Sequence, residues 1–322
     1  MPVFSVFISV FNGEDFLPVT IDSLRKQSFS DFNVYLVDDE SSDRSREIIA
    51  DVVKSDRRFK LFCKKNEGDV QHSWCYILPY LDGQYVQYMS QDDVLEKDYF
   101  KKVYDSIQRF SVPDAVVTAV EFWEKDKNNR IDAGWHGSFD TVISGKEAFI
   151  AALDYSIPGF CCWKREIIEQ SPIIYDAFNS DELMQRLWFQ KCKTVAFSEA
   201  LFRYRQNNLN AITKKFSFSH YSSLRTNIHL MESMLQSDVP REKIIKLCSE
   251  YYMGLFVLYR TYHVQKSGYS REQKEYLLNL FQESFCAFRQ YARYSSNGIK
   301  RIIFCLSSVS FQMLTFITRI LK

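Results

Sequence analysis

SVFISVFNGEDFLPVTIDSLRKQSFSDFNVYLVDDESSDRSREII, residues 5–49, carries the pattern that decides the fold. Residues 3–10 (VFSVFISV) are an apolar run rich in β-branched and aromatic side chains, the mark of a strand buried on both faces. Asn12-Gly13 punctuates it. Phe16, Leu17, Ile21 and Leu24 then recur at helical spacing as far as Gln27, with Pro18 tolerated in the first turn. Residues 33–37 (NVYLV) form a second apolar run ending on Asp38-Asp39. Ser41, Ser42 and Asp43 offer capping oxygens to a helix whose apolar face is Ile48, Ile49 and Val52. Strand, helix, strand, helix is the rhythm of parallel pairing, because parallel neighbours need a long crossover between them.

The alternation continues outward. Residues 59–64 read as a strand, 70–81 as a helix, 85–89 as a strand after Asp82-Gly83, 96–110 as a helix and 115–122 as a strand. The expected fold is therefore α/β, a mostly parallel, doubly wound sheet flanked by helices on both faces. After Trp123 the rhythm breaks. Residues 125–137 (KDKNNRIDAGWHG) are polar and turn-rich, a loop or hairpin. Shorter helices follow near 146–153 and 182–191, with extended pieces at 194–197 and 201–204. Long amphipathic helical stretches occupy 220–235, 241–262 and 271–294. Two regions are expected: an α/β domain over 1–213 and an all-helical C-terminal region over 214–322.

The balance of 41 basic and 40 acidic residues leaves a net charge of +1, so no global field draws in nucleic acid, and no nucleic-acid motif is present. The eight cysteines form no Cys-x-x-Cys pair, and adjacent Cys161 and Cys162 suit a disulfide framework poorly; free, mostly buried thiols of a reducing, cytoplasmic compartment are expected. The opening MPVFSVFISVFNGEDF lacks a basic n-region and is expected to be the first strand rather than a signal peptide. Residues 302–318 (IIFCLSSVSFQMLTFIT) lie between Lys300-Arg301 and Arg319, Lys322. Seventeen residues broken by hydroxyls and a Gln fall short of the ~20 apolar residues that span a bilayer. Two roles suit the segment 300–322: a helix in the surface of the membrane's inner face, or a helix packed on the protein body.

Ligands of an open α/β sheet bind beyond the carboxyl ends of its strands. Three strands here end in polar residues: the first at Asn12, the second at Asp38-Asp39, and the fourth at Ser90-Gln91-Asp92-Asp93. One Asp-Asp pair is ordinarily a cap or turn; two, each directly after an apolar strand, are hard to obtain by accident. Paired carboxylates suit a hard divalent cation that bridges phosphate oxygens, and Asp92-Asp93 equally suits helix N-capping. Asp181 suits the N-terminal cap of a helix.

The stretch 5–49 resembles the opening signature of glycosyltransferase family 2, the inverting enzymes of GT-A (Rossmann-like) fold: a strand, a Tyr-Asn-x-Glu-like turn, a helix ending Ser-Leu-x-x-Gln, and a strand closing on Val-Asp-Asp-x-Ser. The likeness extends through Asn66-Glu67-Gly68, GQYVQYMSQDD (83–93), NSDELMQRL (179–187) and LFRYRQNNLNAIT (201–213), in ordered blocks over 1–213.

The resemblance implies a hexosyltransferase-type enzyme moving a sugar from a nucleotide-diphosphate donor, a UDP-sugar, to a hydroxyl of a glycan or lipid-linked glycan, with Mn²⁺ or Mg²⁺ as cofactor. It places Ser9, Val10, Phe11, Asn12, Asp39 and Gln91 at the donor, with Asp39 on uracil. Asp92, with Asp93 beside it, takes the metal-binding place of an Asp-x-Asp motif, and Asp181 that of the catalytic base. Arg203 and Arg205 fall where diphosphate is neutralised, although solvated strand arginines are the plainer alternative. Trp163, after Pro158-Gly159, falls where an acceptor sugar would stack, or else fills the core. Ser90 replaces the motif's first carboxylate, and Gln71-His72-Ser73-Trp74 replaces a small-residue-Arg-Asn donor contact. His72 and His136 read as structural or surface residues. Two rivals stand beside this expectation. A non-catalytic nucleotide- or sugar-binding relative would explain Ser90. A sugar-phosphate nucleotidyltransferase would need a glycine-rich loop, where only Gly13 occurs.

Overall fold

The structure, a computed structural model, describes residues 1–124, 127–131, 134–175, 178–208, 214–294 and 298–321. The chain divides into two compact units, Met1–Tyr175 with Met184–Lys215, and Asp176–Leu183 with Phe216–Lys322.

The first unit is built on one sheet. Its strands are β1 (Phe4–Val10), β2 (Phe32–Asp39), β3 (Phe59–Lys64), β4 (Tyr85–Ser90), β5 (Val94–Leu95), β6 (Ala115–Glu124), β7 (Lys127–Ile131), β8 (Val142–Ser144), β9 (Cys161–Lys164) and β10 (Thr194–Arg205). The order β3-β2-β1-β4 is parallel throughout. The chain winds outward from β1 to β3 and then returns to the far side of β1, so the switch of strand order lies between β1 and β4. Beyond β4 the order continues β9-β6-β10-β5. Short β9 is antiparallel to both β4 and β6, and the two reversals cancel. Hence β6, and β10 parallel to it, run the same way as β1, β2, β3 and β4. The mostly parallel sheet holds for every long strand, and the antiparallel members are short.

Burial on both sides explains why the strands read as apolar runs. Phe4, Val6, Ile8 and Val10 of β1 join one core with Leu17, Ile21 and Leu24 of α1 (Leu17–Arg25). On the opposite face Phe7 meets Trp74 of α3 (Val70–Ile77) edge-on, with ring centroids 4.7 Å apart. Helix α2 (Ser45–Ser55) buries Ile49 and Val52, and α4 (Tyr99–Arg109) buries Phe100, Val103 and Ile107. The helix expected from residue 96 begins only at Tyr99, because Val94 and Leu95 pair with β10 and Glu96 N–H bonds Leu201 O. The expected hairpin after Trp123 is formed by β7 on β6; residues 125–126 and 132–133 lie outside the described residues. Helices α5 (Gly145–Ala152), α6 (Arg165–Glu169) and α7 (Ser180–Lys191) complete the segment to β10.

The second unit packs α8 (Ser223–Leu235), α9 (Arg241–Gln265), α10 (Arg271–Phe288), α11 (Gly298–Ser307) and α12 (Phe311–Ile320). Its core is aromatic: Tyr259 lies within 4.5 Å of Phe281 and 5.4 Å of Phe311, centroid to centroid. Residues 178–180 are tied here, Phe178 N–H donating to Ser222 Oγ and Thr226 Oγ1 donating to Phe178 O. One expectation needs correction. The tail is two helices, not a single helix across 302–318. Hydroxyls break it by satisfying backbone locally: Ser308 Oγ donates to Cys305 O, and Ser310 Oγ accepts Met313 N–H as the cap of α12. Among the described residues no helix is long and apolar enough to cross a membrane.

Candidate functional site

Register decides what meets at the carboxyl rim of the sheet. In β1, Ser9 stands opposite Val37 on one side and Ser90 on the other, and Val10 stands opposite Asp38. Asp39 therefore lies just past the end of β1, and residues 91–93 turn just past its other flank. Phe11 N–H donates to Gln91 Oε1 at 2.9 Å, and Gln91 Nε2 donates back to Phe11 O at 3.0 Å. A Cβ on Gly13 would fall 2.3 Å from that Gln91 oxygen, so any larger residue there must displace the Gln91 side chain. Asn12 adopts φ 48°, a left-handed conformation that Asn tolerates, and its Oδ1 accepts Ser42 N–H at 2.8 Å. Asn12, Gly13 and Glu14 N–H groups donate to Ser41 Oγ, Ser45 Oγ and Asp43 Oδ2. The turn between β1 and α1 thus spends its amides on the loop after β2 and on the first residue of α2, and Ser9, Val10, Phe11, Asn12 and Gln91 are held as one rim.

The two carboxylates after β2 diverge. Asp38 is fully buried and accepts Arg46 Nη2 at 2.6 Å, so it braces α2. Asp39 stands at the rim and pairs across strands with Lys64, whose Nζ donates to Asp39 Oδ1 at 2.7 Å and lies 3.0 Å from Glu67 Oε2. Burial pushes the Asp39 carboxyl above the ordinary range, and Lys64 offsets this only in part. Burial would lower the Lys64 ammonium, but its bonds to Asp39 and Glu67 outweigh that and raise it.

The pair after β4 also diverges. Asp93 is buried, and its oxygens accept Ser90 N–H at 2.9 Å and Arg205 N–H at 3.3 Å. Burial first, and Asp92 second, raise its carboxyl well above the usual range. Such a carboxyl braces the turn. Asp92 accepts Asn208 Nδ2 on Oδ2 at 2.7 Å. Arg205 donates Nε to Asp92 O at 2.8 Å while its guanidinium lies 4.2 Å from the Trp123 ring centroid and 4.8 Å from that of Phe16. Arg203 is paired with Glu121 at 2.8 Å.

Three residues that the sequence expectations omitted therefore support the site: Lys64, Asn208 and Glu121. The signal for Lys64 was its place closing the strand beside Asp39, and for Asn208 the Asn-Asn step after β10; residues 209–213 of that block lie outside the described residues. Asp181 stands in the first turn of α7, among the residues of the second unit. Trp163 is the correction: on β9 it is 2% exposed, packed on Trp188 and Phe189 at 5.3 and 4.7 Å. A ring buried in the sheet's covering layer is core and presents no face to a sugar. His72 serves α3, its Nδ1 2.7 Å from the capping Asp69. Among the described residues no three His, Cys, Asp or Glu side chains form a metal-binding group. A hard cation that keeps waters and takes phosphate oxygens needs only one or two protein carboxylates, so Asp92 fits such a cation shared with a diphosphate.

A family model described as glycosyl transferase family 2 matches residues 5–171. The chain is 20% identical over 234 residues to glycosyltransferase GlyG of Streptococcus pneumoniae, covering 67% of this chain and 74% of that protein. It is 24% identical over 260 residues to a GalNAc(5)-diNAcBac-PP-undecaprenol beta-1,3-glucosyltransferase of Campylobacter jejuni, covering 78% and 81%. Among solved structures, S. aureus TarS 1-349 in complex with UDP-GlcNAc superposes with TM-score 0.68 at 14% identity, covering 98% of this chain and 89% of that one, which shows the shared fold.

Proposed function

The chain belongs to glycosyl transferase family 2, and from that premise we propose that it moves a sugar from a UDP-linked donor to a hydroxyl of a glycan or lipid-linked glycan, inverting the anomeric carbon, in cell-surface polysaccharide synthesis at the cytoplasmic side of the membrane. The observation that carries this reading is the rim where Asp39 and Asp92 flank the end of β1, bound to it through Ser41 and Gln91. The Campylobacter relative, named for an undecaprenol-linked substrate, supports a lipid-linked acceptor. The UDP-GlcNAc held by the TarS fold supports the donor class.

The roles follow from each group's chemistry. Asp39, with Oδ1 on Lys64, offers Oδ2 as an acceptor to the imide N–H of uracil, beside the backbone of Ser9, Val10 and Phe11. Asp92, oriented by Asn208, is the residue that would hold Mn²⁺ or Mg²⁺. When bound, that cation would neutralise charge on the departing diphosphate. Asp93 acts through the turn, its oxygens taken up by the Ser90 and Arg205 N–H groups. Arg205 is the arginine suited to the diphosphate, because Glu121 already meets the charge of Arg203. Asp181 takes the base's role and removes the proton of the attacking hydroxyl as that oxygen bonds to the anomeric carbon and the diphosphate departs.

One observation favours a second reading, a non-catalytic nucleotide-sugar binder: Ser90 stands where the motif's first carboxylate would, leaving Asp92 as the cation's one carboxylate. Hydrolysis of a UDP-sugar panel with and without Mn²⁺ separates the two. Turnover that disappears in both Asp92→Asn and Asp181→Asn, with melting unchanged, supports the transferase. UDP binding without turnover in the wild-type chain supports the binder. Unchanged turnover in Asp181→Asn removes that residue from the base's role.

A further inference from the structure

The tail helices of the second unit present two faces with different fates. The inner face is filled. Ser307 Oγ lies 2.8 Å from Tyr252 Oη, Thr315 Oγ1 lies 2.9 Å from Tyr259 Oη, and the Phe304 ring meets Phe256 edge-on at 5.1 Å. Leu314 and Thr318 are fully buried. Large apolar side chains also stand bare on the outside: Ile302 is 60% exposed, Val309 67%, Phe316 60% and Ile320 64%, with Leu306 half exposed between them. Single exposed apolar side chains need no explanation, but a row of them along two consecutive helices does.

Charge says what covers this row. Lys300, Arg301 and Arg319 are exposed at its ends. Residues 284–322 contain six Lys or Arg and no Asp or Glu, in a chain whose net charge is only +1, so the rest of the molecule is net acidic. An isologous contact with a second copy would set these cationic rims against each other. Each helix has ten residues and spans about 15 Å, half of a ~30 Å hydrocarbon core. The pair can therefore lie in a bilayer surface and not cross it.

We propose that α11 and α12 form a docking surface for an anionic lipid bilayer, the apolar row entering the acyl boundary and Lys300, Arg301 and Arg319 meeting headgroup charge. The break at residues 308–310 serves this geometry. It lets both short helices keep hydrogen bonds to α9, Ser307 to Tyr252 and Thr315 to Tyr259. The inference does not depend on the transferase reading, and its assay contains neither donor nor acceptor.

The test is co-sedimentation of the full chain with vesicles of phosphatidylglycerol and phosphatidylcholine, and with vesicles of phosphatidylcholine alone. Binding is expected to the anionic vesicles and to weaken as salt rises from about 0.1 M to about 1 M, where the Debye length falls from ~10 Å to ~3 Å. Ile302→Glu with Phe316→Glu should lower binding at least about tenfold, since both apolar anchors are lost. Melting should be unchanged, because both side chains are exposed in the free chain. The proposal is overturned if wild type stays in the supernatant, or if the double variant sediments as well as wild type. It is also overturned if sedimentation velocity without lipid shows a dimer that the double variant abolishes, since a second copy would then cover the row.

Discussion

Replacing Lys64 with Met strips from the Asp39 carboxylate the one hydrogen-bond donor it has among the described residues, while leaving a side chain of similar length in place. Both partners are nearly inaccessible, the Lys64 side chain 6% and the Asp39 side chain 8% exposed, so water replaces the ammonium poorly. Removing one member of a buried pair costs about 3–5 kcal/mol, because the remaining charge stays desolvated. For a unit of roughly 200 residues, at ~2–4 °C per kcal/mol, the melting temperature should fall by at least about 6 °C near neutral pH.

The loss should depend on pH. Burial already holds Asp39 above the ordinary carboxylate range, and without Lys64 it must rise further. A carboxyl raised on folding stabilises the native state fully below its unfolded pKa of ~3.9, and that stability is lost as pH rises through the folded pKa. The gap between Lys64→Met and wild type should therefore be widest near neutrality and narrow as the solution is acidified. Thermal melts at a series of pH values measure it. Lys64→Met combined with Asp39→Asn should recover most of the loss, since no charge is left buried. A deficit that is flat with pH, or a double variant no more stable than Lys64→Met, would refute the reasoning.

Further outcomes follow from the same contacts. Gly13→Ala should push the Gln91 amide off Phe11, weakening UDP affinity in calorimetry by about tenfold, the ~1.4 kcal/mol expected of lost loop hydrogen bonds. Adding Gln91→Ala should make matters little worse, because both changes break one clamp. Asn208→Ala should raise the Mn²⁺ concentration needed for half-maximal UDP-sugar turnover about tenfold, since a hydrogen bond to a charged group is worth ~1.5–3 kcal/mol; an unchanged titration argues against Asp92 as the cation's residue. Trp163→Ala should cost ~3–5 kcal/mol of stability in chemical denaturation and leave the acceptor KM of the folded enzyme where it was. Ser310→Ala should cost ~1 kcal/mol by uncapping α12, seen as lower hydrogen-exchange protection confined to the tail.

The apolar runs and the polar residues that end them were enough to read β1, β2, β3 and β4 as parallel strands with polar carboxyl ends, though not the order in which they pair. A strand buried on both faces has to be continuously apolar, and the change to polar marks where it leaves the core. The same local logic found α1, α2 and α8–α10, whose buried faces recur at helical spacing. It could not say which member of an Asp-Asp pair faces out. Asp38 and Asp39 differ because one meets Arg46 and the other Lys64, and Asp92 and Asp93 differ because residues more than a hundred positions later, Arg205 and Asn208, come back to them. Nor could it see that Trp163 is buried, since an aromatic after Pro-Gly looks alike whether or not another layer covers it. The break in the tail was written in its serines, but an exposed hydroxyl and a capping hydroxyl have the same letter. What the sequence determined alone is which segments must be buried and where they end, because periodicity is a property of consecutive residues. What tertiary structure decided is the orientation and partner of each carboxylate, because burial and ion pairing are made between residues far apart in the chain.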